Sequence, residues 1–336
     1  FKGMIDETRL YSRVLTNAEI TALFTNTTSA PVTLAPTPTL TPTLISATPV
    51  AVIPPPVTSA VSEVQKSAST ITFSPKNTTP KDLFANIQNE IDSRIGSLVP
   101  SDSNKNLWVQ PRGNGTGGWT KNPAVWTGTI DWSGVSPWNN DFTGNTLGYA
   151  KAGTLVSPRH VIFANHFRIL NGSNILFIDK NGQNITRKIV DYRNIAGTDI
   201  TVASLDTDVP NTVSFYPVFK KIDLEKYLKD GSADTTLNLP FVLFDKDDHI
   251  FVRSTNKNKL FDANATTIIH GTSTVGKRKD FNENVVLGDS GNPGFVIVGG
   301  QPVLIFTNFD FTASHSISYF YNQIKLISLL FYKFIY

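Results

Sequence analysis

The sequence predicts an all-β domain, a sandwich or barrels, with a helix at either end. Three observations carry this. Short apolar runs of strand length recur between polar turns from about residue 153 to 306. Asn181-Gly182 separates two of those stretches, and this dipeptide favours a tight hairpin turn. Helical periodicity of four residues occurs only before and after the strand-rich part.

The strand-like runs are Gly153–Val156, Val161–Phe163, Ile175–Ile178, Ile200–Ala203, Phe241–Phe244, Ile250–Val252, Phe295–Val298 and Val303–Phe306. The leading helix begins after Thr79, a natural N-cap, with Pro80 in the first position and Asp82 in the first turn. Leu83, Ile87, Ile91 and Ile95 then form an apolar stripe that ends near Gly96, with Phe84 beside it. The stripe suits packing against the β-domain. A closing helix is expected from Ser314 onward, with Ile317, Tyr321, Ile324 and Phe331 roughly on one side.

Ahead of this domain lie two other zones. Residues 31–60 hold 8 of the 20 prolines, and no charged residue occurs from Thr25 to Ser62. Such a stretch cannot bury enough apolar surface to offset chain entropy, so residues 25–78 are expected to form a disordered, partly polyproline-II tether. Before it, Gly3–Tyr11 alternates like a strand, and Thr16 with Glu19 makes a capping box for a short helix. The expected organisation is therefore 1–24, a fragment; 25–78, the tether; 79–104, helix and lead-in; and 105–336, the β-domain.

Bulk composition narrows the function classes. The 336 residues carry a net charge of +3 and are 40% hydrophobic. Lys277-Arg278-Lys279 is the only basic cluster noted, and it is expected to be a solvated loop, so no nucleic-acid partner is expected. The absence of cysteine excludes disulfides and Cys-based metal sites, and no metal or cofactor is expected. The apolar C-terminus from Ile324 is too short for a membrane span. The chain opens at Phe1 without a charged segment followed by an apolar one. The expectation is a piece of a longer protein, with any signal peptide upstream.

Three short segments carry chemistry. In Gly288-Asp289-Ser290-Gly291-Asn292-Pro293, a Ser sits in a glycine-bearing loop between two apolar runs. A nucleophilic Ser needs nearby backbone N–H groups aimed at the developing oxyanion, and Gly288 allows that backbone shape. In Gly153–Phe167, a strand, tight turn and second strand lead to Ala164-Asn165-His166. In Gly197-Thr198-Asp199-Ile200, an Asp opens an apolar strand. His160 lies within a strand and is expected to be structural; His249, His270 and His315 lack comparable context, and Asp206 and Asp208 follow the strand.

These segments resemble the catalytic segments of trypsin-like (chymotrypsin-fold) serine proteases, over roughly residues 105–330. The order His166, Asp199, Ser290 is the trypsin-like order, distinct from the subtilisin and α/β-hydrolase arrangements. The resemblance implies two six-stranded antiparallel β-barrels and a serine endopeptidase acting on protein or peptide substrates. It also implies His166 as base, Asp199 as its orienting partner, Ser290 as nucleophile, and the N–H groups of Gly288 and Ser290 as oxyanion hole. It places Asn284, six residues before the Ser, at the base of the specificity pocket; a one-residue shift would place Glu283 there instead. Thr307 is expected to border that pocket. Asn165 and Asn292 depart from the usual pattern. Ile297-Val298-Gly299-Gly300 looks like an activation N-terminus, yet it follows Ser290 and is read as coincidence, so Asp289 must find another partner.

Residues 1–24 resemble the last strand and closing turn of a laminin-G-like (concanavalin-type) jelly roll, carried by Gly3-Met4-Ile5-Asp6-Glu7-Thr8-Arg9-Leu10-Tyr11 and the Arg13–Ile20 run. That resemblance implies a glycan or surface ligand and a secreted or cell-surface location. The alternatives are a surface adhesion protein whose protease-like domain is a non-catalytic scaffold, and a Ser-dependent esterase.

Overall fold

The computed structural model describes residues 72–73, 79–109, 120–139, 151–219, 221, 239–255 and 267–333. All of them fall in the compact unit Val57–Tyr336. The laminin-G-like segment and nearly all of the expected tether lie outside the described residues. Thr72–Phe73, expected in the tether, forms a two-residue strand, β1.

Helix α1 spans Pro80–Ile95, as the stripe predicts, and the Thr79 hydroxyl accepts the Asp82 N–H at 3.1 Å. Leu83, Phe84, Ile87, Ile91 and Ile95 are buried. A short helix, α2 (Asp102–Lys105), follows.

The first six-stranded sheet contains β2 (Val135–Asn139), β3 (Lys151–Ser157), β4 (His160–Ala164), β5 (Asn174–Ile178), β6 (Asn184–Asn194) and β7 (Ile200–Leu205). Its order is β2-β3-β4-β7-β6-β5, antiparallel throughout. The Ser136 hydroxyl donates to the Leu176 carbonyl, drawing the two end strands together into a nearly closed barrel. Asn181-Gly182 does form the β5–β6 turn, where the Asp179 carboxylate accepts the Asn181 and Gln183 N–H groups at 2.8 Å each. Leu155, Val161, Phe163, Ile175, Phe177, Ile189, Ala203 and Leu205 fill the barrel.

The second barrel contains β9 (Pro240–Phe244), β10 (Ile250–Thr255), β11 (Thr267–Gly271), β12 (Pro293–Val298), β13 (Gln301–Asn308) and β14 (Ala313–Ser316). The order is β13-β12-β9-β10-β11-β14, and β14 pairs back with β13, so the barrel closes. β8 (Val218–Phe219) joins β13 in parallel and carries β1 beyond it. Between the barrels, Trp132 packs edge-on against Phe244 at 5.0 Å, while Tyr216 meets Phe295 at 4.8 Å. The Tyr216 hydroxyl accepts the Gly134 N–H and donates to the Asp131 carbonyl. The expected all-β pair of six-stranded barrels with a helix at each end is therefore the observed architecture.

Two local expectations change. Ser314 lies in β14, not in a helix; its neighbours pair with both β11 and β13, and the last helix, α3, begins only at Tyr321 and runs to Lys333. Arg278 is not solvated. It is buried in a 3-10 turn and grips Asp92 of α1 with Nε and Nη2 at 2.6 and 2.5 Å. Ile297-Val298 ends β12, and Gly299-Gly300 makes the turn into β13.

Candidate active site

The β4–β7 register puts two of the three expected residues side by side. Ala164 pairs with Ile200, so the residues just past β4 face those just before β7. The Asn165 N–H accordingly donates to the Asp199 carbonyl at 2.7 Å. His166 sits in the 3-10 turn Asn165–Phe167, and its backbone N–H donates to Asp199 Oδ1 at 2.8 Å. Its ring Nδ1 meets Asp199 Oδ2 at 2.6 Å. The hydrogen bond that the ring donates to this carboxylate, opposed by partial burial and aided by the carboxylate charge, raises the His166 pKa above the usual value near 6.5. Asn165 has a structural use. Its side-chain oxygen accepts Arg168 Nη1 at 2.8 Å and the Thr201 hydroxyl at 3.2 Å.

The second barrel supplies the third residue. Ser290 lies in the loop before β12, and its Oγ stands 2.9 Å from His166 Nε2. The loop meets the first barrel closely: a Cβ on Gly291 would lie 3.1 Å from the Ala152 carbonyl, and its φ of +87° suits glycine alone. On the other side, the Gly291 N–H donates to the Asn308 carbonyl at 2.8 Å and the Asn308 N–H to the Asn292 carbonyl at 2.9 Å. Ser290 is thus held from both barrels.

The N–H groups of Gly288 and Ser290 have no protein acceptor among the described residues. Gly288 is the third residue of a turn in which the Asp289 N–H donates to the Val286 carbonyl at 3.1 Å. Its φ of +105° is the kind this position of a type II turn demands, and it leaves the Gly288 N–H uncommitted.

Asp289 finds its partner in the backbone. The side chain is 1% exposed. Oδ2 accepts the Val286 N–H at 2.7 Å, and Oδ1 accepts the Lys246 N–H at 2.8 Å from the β9–β10 turn. Burial raises its pKa to about 7, against the pull of those two N–H donors. This side chain therefore clamps the Val286–Asp289 turn without a new chain terminus.

The expected pocket residues divide. Asn284 is exposed on the chain leading to Ser290. Glu283 is committed within the fold: Oε1 accepts Lys105 Nζ at 2.9 Å and Oε2 meets His249 Nδ1 at 3.1 Å. Those contacts outweigh burial and lower its pKa to about 2. Thr307 is buried, and its hydroxyl donates to the Gly291 carbonyl at 3.2 Å. It supports the Ser290 loop.

The remaining histidines are structural. His160 is buried against the Ser157 hydroxyl at 2.7 Å, and desolvation lowers its pKa to about 3. His270 is buried too, with Nε2 at 3.0 Å from the Ser314 hydroxyl. His315 Nδ1 accepts the Asp199 N–H at 3.2 Å, a support that the sequence pattern did not single out. Asp206 and Asp208 lie after β7, as expected. His249 was also missed. Its Nδ1 lies 3.3 Å from Asp245 Oδ2 and close to Glu283, and hydrogen bonds to the two carboxylates raise its pKa to about 10. Donor atoms of Asp245, His249 and Glu283 fall within 4.8 Å of one another, a spacing that can hold a metal ion. Here protonated His249 and Lys105 already balance the two carboxylates, so the group is an internal ion-pair cluster.

The arrangement can do nucleophilic chemistry. A hydroxyl faces a neutral-capable imidazole, a carboxylate orients the ring, and two uncommitted N–H groups flank the hydroxyl. The double barrel is consistent with a trypsin-like fold. No helix among the described residues is long and apolar enough to cross a membrane. No protein-family model matches the sequence, and a search of curated proteins found no match.

Proposed function

We propose that the chain is a serine endopeptidase that cleaves peptide bonds through an acyl-enzyme. One observation carries the proposal: the continuous relay Asp199 Oδ2, His166 Nδ1, His166 Nε2, Ser290 Oγ, with spacings of 2.6 and 2.9 Å, assembled from both barrels. A non-catalytic scaffold would have no need for that alignment beside two uncommitted N–H groups.

In the proposed reaction, Ser290 Oγ attacks the peptide carbonyl and passes its proton to His166 Nε2. Asp199 holds the Nδ1 proton and stabilises the imidazolium. The Gly288 and Ser290 N–H groups receive the oxyanion, and losing one such donor costs roughly 3–4 kcal/mol of transition-state stabilisation. His166 then protonates the leaving amine. Water, activated by the same His, releases the acid and restores Ser290.

We further propose that the domain is extracellular and tethered to a laminin-G-like module that binds a glycan or a surface. Assays of casein and of a short ester, with wild type and Ser290→Ala side by side, test the reading. Ser290-dependent cleavage of both supports an endopeptidase, and ester cleavage alone supports an esterase. Cleavage of neither leaves the scaffold.

A further inference from the structure

Two chain segments flank Ser290, and both are fastened to its loop. Asn284–Leu287 runs directly into the oxyanion turn. Asn308–Phe311 leaves β13 beside it, with Asn308 Nδ2 donating to the Asp289 carbonyl at 3.3 Å. Each segment shows a large apolar side chain to solvent: Leu287 is 56% exposed and Phe311 52%. Exposed apolar side chains on both segments beside Ser290 mark a candidate binding surface.

Arg253, from β10, joins the two segments underneath. Its Nη1 donates to the Glu283 carbonyl at 3.0 Å and its Nη2 to the Phe311 carbonyl at 3.5 Å. The residue is only 4% exposed. A guanidinium has five N–H donors. The two carbonyls take two of them, and Nε has no acceptor. Among the described residues no carboxylate lies within ion-pair distance. The carboxylate of Glu283, whose carbonyl accepts Arg253 Nη1, is committed to Lys105 and His249. The other side chain that its field reaches, His270, is held neutral by burial and by Arg253 itself, with its pKa lowered to about 3.

A buried cation without a counter-ion is costly, and proteins pair such charges or hold them for a ligand. From this we infer that the surface beside Ser290 accepts an acidic side chain, and that Arg253 selects substrates with Glu or Asp on the acyl side of the scissile bond. The inference rests on the endopeptidase reading. In this reading the exposed Leu287 and Phe311 side chains pack on the methylene stem, and Arg253 supplies the missing charge partner and the spare donors. A Lys or Arg side chain would meet a like charge at Arg253; the exposed Asp310 carboxylate, in the same flanking segment, accepts the Phe311 N–H.

The test uses the full chain and fluorogenic peptides of one sequence that differ only in Glu, Gln, Asp, Lys or Phe before the cleaved bond. Active sites are counted with a neutral fluorophosphonate. A charge-assisted hydrogen bond implies that kcat/KM for Glu exceeds that for its isostere Gln by roughly 10- to 100-fold, with Lys poorest. Arg253→Gln should bring the Glu-to-Gln ratio close to unity. If that variant does not fold, the wild-type ratio still decides. Stoichiometric labelling with Glu and Gln cleaved within about threefold of each other, or with Lys or Phe preferred, overturns the inference and leaves the endopeptidase. Absence of both labelling and cleavage overturns the endopeptidase reading, and this inference with it.

Discussion

Asp199→Asn separates a catalytic relay from a coincidental hydrogen-bond chain. The two carboxylate oxygens have different partners. Oδ1 accepts the His166 backbone N–H at 2.8 Å, and Oδ2 faces the ring Nδ1 at 2.6 Å. An Asn side chain must keep its carbonyl on the backbone N–H, because its NH2 group cannot accept there. The NH2 then faces Nδ1 and forces that nitrogen to act as acceptor. The ring proton moves to Nε2, which points at Ser290 Oγ 2.9 Å away. His166 is then unable to take the Ser290 proton. In the Ser-His-Asp template this exchange lowers kcat by about 10⁴-fold, or roughly 5.5 kcal/mol of barrier. The assay is kcat on an ester and on a fluorogenic peptide, with thermal melting run alongside to show that the fold is intact. A loss of less than about tenfold in a variant that melts like wild type would refute the relay.

Four further outcomes follow from the structure. The raised His166 pKa places the acid limb of kcat/KM above pH 6.5, since the base works only when neutral, and activity climbs as pH rises through that value; a limb at or below 6.5 in a pH–rate profile would contradict the hydrogen bond to Asp199. Asp289→Asn leaves one of the Val286 and Lys246 N–H groups facing an NH2, so the oxyanion turn loosens and kcat falls roughly 10²–10³-fold. The Asp289 carboxyl titrates near 7 in the fold against about 3.8 unfolded, so the stability it lends below pH 4 is lost as pH rises to 7. Melting curves from pH 4 to 8 should therefore be flatter for the Asn variant. Asp92→Ala strips the buried Arg278 of its only ion-pair partner among the described residues, and urea denaturation should record a loss of about 3 kcal/mol.

Sequence legibility tracked how locally each feature is encoded. The α1 helix was readable because cap, proline and apolar stripe all fall within 17 residues. His166, Asp199 and Ser290 were readable because each sits at the edge of an apolar strand, where a polar residue has few structural reasons to be. β6 escaped, since only Ile189 among its 11 residues is buried and no apolar run marks it. β14 escaped as well; Ala-Ser-His-Ser reads as a loop, and its strand character comes from pairing on both sides. The clamp on Asp289 had no signature, because its donors are backbone N–H groups and one of them lies 43 positions away. Arg253 was invisible for a similar reason. Only barrel closure brings its β10 position beneath Glu283 and Phe311.

The central claim is that Ser290 is a nucleophile activated by His166. Its most direct test is reaction with a fluorophosphonate probe, followed by mass analysis of the peptide that carries Gly288–Pro293. Stoichiometric phosphonylation of Ser290 is expected, abolished in Ser290→Ala and slowed severely in His166→Ala. Undiminished labelling of Ser290→Ala, or a wild-type protein that stays unlabelled while fully folded, would contradict it.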